Sequence, residues 1–411
     1  MVSPLPLLVA AALVLAQALP GPWCRVAAAC AARAASAAAA TLWVPARGGY
    51  LEDWRMAARM AGRVQEGVAI QVVPLWGDDW GQLTQALAEG RGPHLVVVSP
   101  ELAARLASRG MLQALPAPRG ERPGLPREAY EPFRWRGELY ALPGFADPAV
   151  LYVHQDLLEQ AGILPAGYPR DWEELLRLAR AVRSLAGGGR SPWGFPVNGW
   201  PPLELFVWQA GGSVVEPPDR LWEDSGPLEQ AARFYRTFVV EQLSPSPPDS
   251  WRTGPQELFQ EGQAALMIGL YSHRLEQPDS RRAPFRAALA PLPVGPSGRP
   301  VGWMWVEGLA LPRPASPLAR RALSALELAL GVLGPLPPSA RRPEADTVAR
   351  EALAVSRTLP ALAGYLEFSS AWWSTVVQPL LTQPEPLDIP ALLAQARAVL
   401  LQALRQGTGR R

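Results

Sequence analysis

The sequence predicts an α/β fold in which short parallel strands alternate with helices. After Thr41, the apolar runs TLWVPA, VAIQVVPLW and PHLVVVSP are separated by YLEDWRMAARMAGRVQ and WGQLTQALAEG, whose apolar residues recur at helical spacing. A further helical segment, ELAARLASRGMLQAL, is expected to end at Gly110. Strands separated by helices of about ten or more residues form βαβ units on a parallel sheet.

Length and composition limit the possible classes of protein. A chain of 411 residues can form two domains with complete cores, and 48% hydrophobic residues indicate a globular protein. The net charge is +2, and no basic run interleaved with aromatic residues occurs, which argues against nucleic acid as a partner. All 39 cationic residues are arginine, so any mechanism that needs a lysine amine is excluded.

The first 40 residues have the features of an export signal. An apolar run over about residues 5–19 is too short to cross a bilayer comfortably, and small residues precede Thr41. Both cysteines, Cys24 and Cys30, lie in this segment, so disulfides are not expected to hold the main fold. We predict a signal peptide over residues 1–40 and a periplasmic or extracellular protein; lipidation of Cys30 after VAAA is the alternative.

The stretch GELYALPGFADPAVLYVHQDLLEQAGI, residues 137–163, contains two β-like runs interrupted by Phe145, Asp147 and Pro148. A surface hairpin would explain the interruption. A hinge, where the chain leaves one domain and enters another, would explain it equally well.

This stretch, followed by PRDWEELLRLARAV, resembles the central block of the extracellular solute-binding proteins of ABC transporters, within their sugar-binding, maltose-binding-protein-like family. WQAGG, ELFQEGQAALMIGLYS, LAPLPVGPSGRPVGWMWVEGLALPRPAS and SSAWWSTVVQPLL are similar to later blocks of that family, in the same order. The resemblance implies a two-lobed periplasmic-binding-protein-like fold, with a mainly parallel sheet flanked by helices in each lobe and three hinge crossings. It implies one lobe of residues 41–145 plus 288–333, and another of 146–287 plus 334–411.

The same resemblance implies a function. The protein would capture a sugar or oligosaccharide in the cleft between the lobes and present it to the membrane permease of an ABC importer. It would act as a monomer without a cofactor or metal, and closure would bend the hinge.

Candidate ligand residues follow from the chemistry of sugars. Aromatic rings cover the apolar face of a pyranose, while carboxylates, amides and arginine bond to its hydroxyls. The aromatic candidates lie at strand ends, in Gly- and Pro-rich loops, or at positions matching the family's stacking residues: Trp76, Trp200, Tyr271, Trp305 and Trp373. Trp54, Trp172 and Trp208 lie at helical spacing and are expected in the core.

Polar candidates lie where parallel strands end or where the resemblance puts the cleft. Arg47, Ser99 and Glu101 follow predicted strands, at the edge where such sheets bind ligands. By resemblance Asp147 is a hinge acid that bonds sugar hydroxyls and must be accessible in the open form, while Asn198 and Glu204 line the second lobe. Arg47 stands where the family often has an acid, which could indicate an acidic sugar or an ion pair with Glu101.

Other classes of function remain open. A glycosidase would need two carboxylates about 5 to 9 Å apart, and Asp147 and Glu204 could supply them. The sequence has no H-E-x-x-H, G-x-S-x-G or dinucleotide-binding motif, and His94, His154 and His273 lack metal-ligand spacing. A binder of another polar or acidic solute, and a purely structural partner protein, are the further alternatives.

Overall fold

A computed structural model describes residues 39–46, 50–77, 79–116, 122–163, 167–185, 192–216, 220–245, 253–276, 285–341, 343–362 and 364–407. Arg47, Cys30 and all but the last two residues of the predicted signal peptide lie outside these ranges. Ala40, the last residue of that predicted peptide, is the first residue of the first strand and is buried.

Strands and helices alternate along the first third of the chain, as the hydrophobic pattern predicts. The strands are β1 (Ala40–Pro45), β2 (Ile70–Leu75), β3 (Leu95–Val98), β4 (Arg134–Trp135), β5 (Glu138–Leu139), β6 (Ala141–His154), β7 (Val215–Glu216), β8 (Arg220–Leu221), β9 (Leu266–Leu270), β10 (Ala287–Ala290), β11 (Gly302–Ala310) and β12 (Ser356–Arg357). The helices are α1 (Tyr50–Val64), α2 (Asp79–Ala88), α3 (Pro100–Ser108), α4 (Gln155–Gln160), α5 (Trp172–Arg183), α6 (Leu203–Gln209), α7 (Gly226–Val240), α8 (Pro255–Gln260), α9 (Pro317–Leu333), α10 (Pro343–Ala354), α11 (Tyr365–Trp372), α12 (Gln378–Thr382) and α13 (Ile389–Gly407).

One mixed sheet runs through the molecule in the order β10-β6-β11-β3-β1-β2, with β9 also paired to β6 and β12 to β11. The first three strands are parallel, which confirms the predicted βαβ units. The strands paired with β6 run antiparallel to it, unlike the mainly parallel sheet expected for the second lobe. The cause is that β6 lies between β9 and β10 and runs opposite to both.

The stretch that raised the choice between hairpin and hinge forms a single strand. All 14 residues of β6 are buried. Its first part, Ala141–Pro148, pairs with β11, and its second part, Ala149–His154, pairs with β9 and β10. The hairpin alternative is therefore wrong, because the chain changes strand partners at Pro148 without turning back. We call the strands β1–β3, together with residues 141–148 of β6 and the part of β11 paired with them, the first half of the sheet. The second half consists of β9, β10 and residues 149–154 of β6.

Helices cover both halves of this sheet. Helix α9 packs on α1 beside the first half, while α10 packs on β6 and β10. The helices α5, α6, α7, α11 and α13 form a separate buried cluster with the second half. The segment 317–340 is long and apolar enough to cross a membrane by length and composition, but half of its most apolar window is buried inside the protein.

Candidate functional site

Asp147 and Trp305 are direct cross-strand neighbours on β6 and β11. Residues that face each other in antiparallel strands project their side chains to the same side of the sheet. Val306 and Ala146, the next pair, belong to the core on the other side. The pairing therefore puts a carboxyl group beside a large aromatic ring at the point where the strands pass between the two halves.

Two protein donors cover the Asp147 carboxyl group. The Tyr50 hydroxyl lies 2.6 Å from Oδ2, and the backbone N–H of Ser272 lies 3.1 Å from Oδ1. The side chain is fully buried. Burial raises the pKa of Asp147 to about 6, and the hydrogen bonds from Ser272 and Tyr50 oppose the rise. The accessible carboxylate expected from the sequence is thus not present in this conformation, because Tyr50 and Ser272 occupy both of its oxygens.

Four tryptophans form what we call the aromatic wall: Trp200, Trp303, Trp305 and Trp373. The Trp200 and Trp303 ring centroids lie 5.0 Å apart and nearly perpendicular, and Trp303 and Trp305 lie 6.4 Å apart. The Trp200 indole N–H donates to the Ile268 carbonyl at 2.7 Å, which fixes that ring. Trp200, Trp305 and Trp373 are half-buried, so part of each indole remains accessible for a ligand.

Trp373 joins this wall through Gly199. It is the first residue of a π-helical turn that follows α11, and such turns are frequent at functional sites. A Cβ at Gly199 would lie only 2.4 Å from Cζ3 of Trp373, and Gly199 has a φ of +100°. Both the close approach and the backbone conformation therefore require glycine beside Trp200.

Tyr365 brings two of the predicted acids into one neighbourhood. Burial raises the pKa of Tyr365, and the nearby carboxyl groups of Glu204 and Glu101 add to the rise. Glu204, in the first turn of α6, is 7% exposed, and burial raises its pKa. Oε2 of Glu101 is buried without a hydrogen-bond partner among the described residues. Two carboxyl groups thus lie near one phenol, with no described cation bonded to either.

The remaining candidates occupy other positions. Trp76 is 67% exposed, and Ser99 is the N-cap of α3, with its hydroxyl 3.4 Å from the Leu102 N–H. Tyr271 is fully buried and donates its hydroxyl to Asp346 at 2.6 Å, so neither face of its ring is free to stack on a ligand. Asn198 is half-buried next to Gly199.

Residues 62–327, more than half of the chain, match the family described as bacterial extracellular solute-binding protein. The chain belongs to this family. A curated relative from Deinococcus radiodurans, a probable ABC transporter-binding protein, is 26% identical over 209 residues. That match covers 46% of this chain and 49% of the relative, so the chain spans about half the length of the curated relative.

Solved structures show that this solute-binding protein has the two-lobed periplasmic-binding-protein-like fold. It resembles the cyclic α-maltosyl-1,6-maltose binding protein of Arthrobacter globiformis, with a TM-score of 0.73, 15% identity, and 90% and 99% of the two chains covered. An ABC substrate-binding protein of Listeria monocytogenes in complex with cycloalternan has a TM-score of 0.68 and 16% identity, with 91% of this chain and 99% of that chain covered. The GacH receptor of Streptomyces glaucescens, solved in complex with acarbose, has a TM-score of 0.68 and 17% identity, with 90% of this chain and 99% of that chain covered.

The predicted core positions of three tryptophans in this solute-binding protein are confirmed. Trp54, Trp172 and Trp208 are buried in the core. His94 is half-buried in a bend, with Nδ1 3.1 Å from the Thr41 backbone nitrogen. Asp171 caps α5 by accepting the Glu174 N–H at 2.8 Å.

Four residues of the site were not among the sequence candidates: Tyr50, Ser272, Trp303 and Tyr365. A signal existed for Trp303, because it lies two positions before Trp305 in a strand and must share its face. Tyr50 reaches Asp147 across 97 positions. No local pattern reports such a contact, so the other three could not have been identified from the sequence.

Proposed function

We propose that this protein captures a sugar or oligosaccharide in the cleft between its lobes and delivers it to the membrane permease of an ABC importer. The observation that carries the proposal is the aromatic wall beside Asp147, at the strand crossing of a chain that belongs to the solute-binding family. The partly accessible indoles of Trp200, Trp305 and Trp373 offer flat surfaces for the C–H faces of pyranose rings.

The acids supply the polar part of the proposed site. Ionised carboxylates accept hydrogen bonds only, which suits the hydroxyl groups of a sugar. Glu101 and Glu204 lie near Tyr365, and the buried Oε2 of Glu101 has no partner among the described residues. A hydroxyl-rich ligand would satisfy that oxygen without requiring a buried counter-ion.

The relatives support the same class of ligand. Structures with this fold contain cycloalternan or acarbose, and another belongs to a cyclic maltosyl-maltose binding protein. The probable ABC transporter-binding protein of Deinococcus radiodurans supports the importer role. We therefore favour a gluco-oligosaccharide or a related sugar over an acidic solute.

The other sequence-based expectations belong to the same proposal. Residues 41–145 plus 288–333 and residues 146–287 plus 334–411 would form the lobes, and closure would bend β6, β11 and the segment between α9 and α10. Residues 1–40 would direct export, with Cys30 as the alternative lipid anchor, and the protein would act as a monomer. We infer no catalysis, since the matching family and the similar solved structures are solute-binding proteins.

A thermal-shift screen tests the proposal. Mono- to tetrasaccharides, cyclic gluco-oligosaccharides, acidic sugars and, as a control class, amino acids and short peptides would be added to the purified protein. A ligand that binds only the folded state raises the unfolding midpoint, and the rise grows with the ligand concentration relative to its Kd. We expect shifts from neutral oligosaccharides; shifts confined to amino acids or peptides would contradict the proposed ligand class.

A further inference from the structure

The first turn of α1 bonds to three segments that are distant in the sequence. The Tyr50 hydroxyl bonds to Asp147 in β6, and the Trp54 indole N–H donates to Oε2 of Glu307 in β11 at 2.9 Å. Asp53 accepts the backbone N–H of Ser339 at 2.7 Å and its hydroxyl at 2.9 Å. The start of α1 is therefore hydrogen-bonded to three other parts of the chain.

Two of these three segments, β6 and the turn at Ser339, connect the halves of the sheet, and the third, β11, pairs with β6 where that strand crosses. β6 passes from β11 to β9 and β10, and β11 is its partner in the first half. Ser339 lies in the 3₁₀ turn Pro338–Ala340, between α9 on the first half and α10 on β6 and β10. Asp147 extends the linkage, because its other oxygen holds the N–H of Ser272 just after β9.

Acidic groups dominate the surroundings of this linkage. Asp53 and Asp147 are fully buried, and burial raises the pKa of each to about 6. Asp53 and Asp147 each face other charges: Arg341 and Glu52 act on Asp53, and Asp53 acts on Asp147. Burial raises the pKa of Tyr50, and Asp147 and Glu307 add to that rise.

The elements packed around this linkage contribute two further titratable groups. Asp346 of α10 accepts the Tyr271 hydroxyl and lies 3.6 Å from Arg350. His273 follows Ser272, and its ring lies 6.5 Å from that of Trp200. Neither is among the main influences on the pKa of Asp147.

We propose that Tyr50, Asp53 and Trp54 are positioning residues that fix the position of one half of the sheet relative to the other. The charge state of Asp147 controls how firmly these residues hold the two halves together. An ionised Asp147 accepts from Tyr50 and Ser272 at once, and such charge-assisted bonds are roughly twice as strong as neutral ones. Protonation puts a hydrogen on one carboxyl oxygen, and that oxygen then accepts a weaker hydrogen bond than it does when ionised. The tie between α1 and the segment after β9 then weakens. This holds whichever solute the protein binds.

The test measures the distance between the halves in the ligand-free full chain. Both native cysteines lie before residue 31, so Cys24→Ser and Cys30→Ser leave a cysteine-free chain. Arg63→Cys on α1 and Glu173→Cys on α5 would then carry spin labels at two exposed positions. We expect the distance distribution to change between pH 7.5 and pH 5, with a midpoint near 6.

Two variants and a control decide the cause. Asp147→Asn keeps the shape without the charge, so its distances should be independent of pH and match those of the parent at pH 5. Tyr50→Phe removes one donor and should move the midpoint to higher pH. Glu138→Gln alters an exposed acid on β5 and should behave as the parent. Identical pH responses in the parent and Asp147→Asn, or no response in the parent, would overturn the proposal.

Discussion

Trp305 and Asp147 face each other across β11 and β6, two paired strands at the crossing between the halves of the sheet in this solute-binding protein. A ring that can stack on a ligand thus lies beside a carboxyl group at the crossing. Because β6 continues from its pairing with β11 into its pairing with β9 and β10, a ligand contact at Trp305 would be coupled by backbone hydrogen bonds to the relative position of the two halves. A ligand bound there would have a direct physical link to the proposed closure.

Trp373 is predicted to contribute to ligand binding more than to stability. It is half-buried, so Trp373→Ala should weaken binding of an identified sugar by about 1 to 3 kcal/mol, as at other binding hot spots. Titration calorimetry would measure the affinity, and thermal unfolding the stability. Trp208→Ala is the matched control: its ring is 6% exposed in the core, so that variant should lose about 3 to 5 kcal/mol of stability. Parental affinity in Trp373→Ala would remove this residue from the site.

Gly199 should be intolerant of even a methyl group. The added Cβ would lie 2.4 Å from Trp373 at a φ of +100°, so Gly199→Ala should lower both the unfolding midpoint and the affinity for sugar. Gly298→Ala is the control, since Gly298 has a φ of +71° but a Cβ there would meet no atom within 4 Å. It should show only the backbone cost, about 1 kcal/mol, and bind as the parent. Equal effects of the two substitutions would mean that the contact with Trp373 is unimportant.

The sequence predicts local structure well where periodicity decides it. The strands β1–β3 and the helices between them follow from apolar spacing. The continuous strand β6 was not predictable, because Asp147 and Pro148 favour an interruption and only pairing with β11, β9 and β10 overrides that preference. The burial of Tyr271 depends on Asp346 in a helix 75 positions away. The pattern around Tyr271 could not indicate that its hydroxyl was already bonded.

Asp147 should make the stability depend on pH in an unusual direction. Its folded pKa of about 6 lies above the unfolded value of about 3.9, so the folded protein takes up this proton first as the pH falls. The contribution of Asp147 to the free energy of unfolding is fully present below about pH 4 and is lost as the pH rises through about 6. Asp147→Asn should therefore be more stable than the parent at pH 7.5, by at most about 3 kcal/mol, and the difference should shrink toward pH 5. Thermal unfolding across pH, with Glu138→Gln as control, checks this; a constant difference would contradict the buried charge.

Ser99 provides a test of a residue with two possible roles. The structure uses its hydroxyl as the N-cap of α3, so Ser99→Ala should lower stability by roughly 0.5 to 1 kcal/mol. Ser99→Asp retains a capping oxygen and should restore the unfolding midpoint. Affinity for an identified sugar should stay unchanged in Ser99→Ala. A tenfold loss of affinity in that variant would instead show that the hydroxyl contacts the ligand.

The most direct test of the proposed sugar site is a calorimetric titration of the parent and of Trp305→Ala with the neutral oligosaccharide that gives the largest thermal shift. Trp135→Ala is the matched control, because Trp135 on β4 is half-buried like Trp305 but is neither a sequence candidate nor part of the aromatic wall. We predict saturable binding to the parent and to Trp135→Ala, and at least a tenfold loss of affinity in Trp305→Ala with its fold retained. No saturable binding of any neutral sugar to the parent, or equal affinities in all three proteins, would contradict a sugar site at the strand crossing.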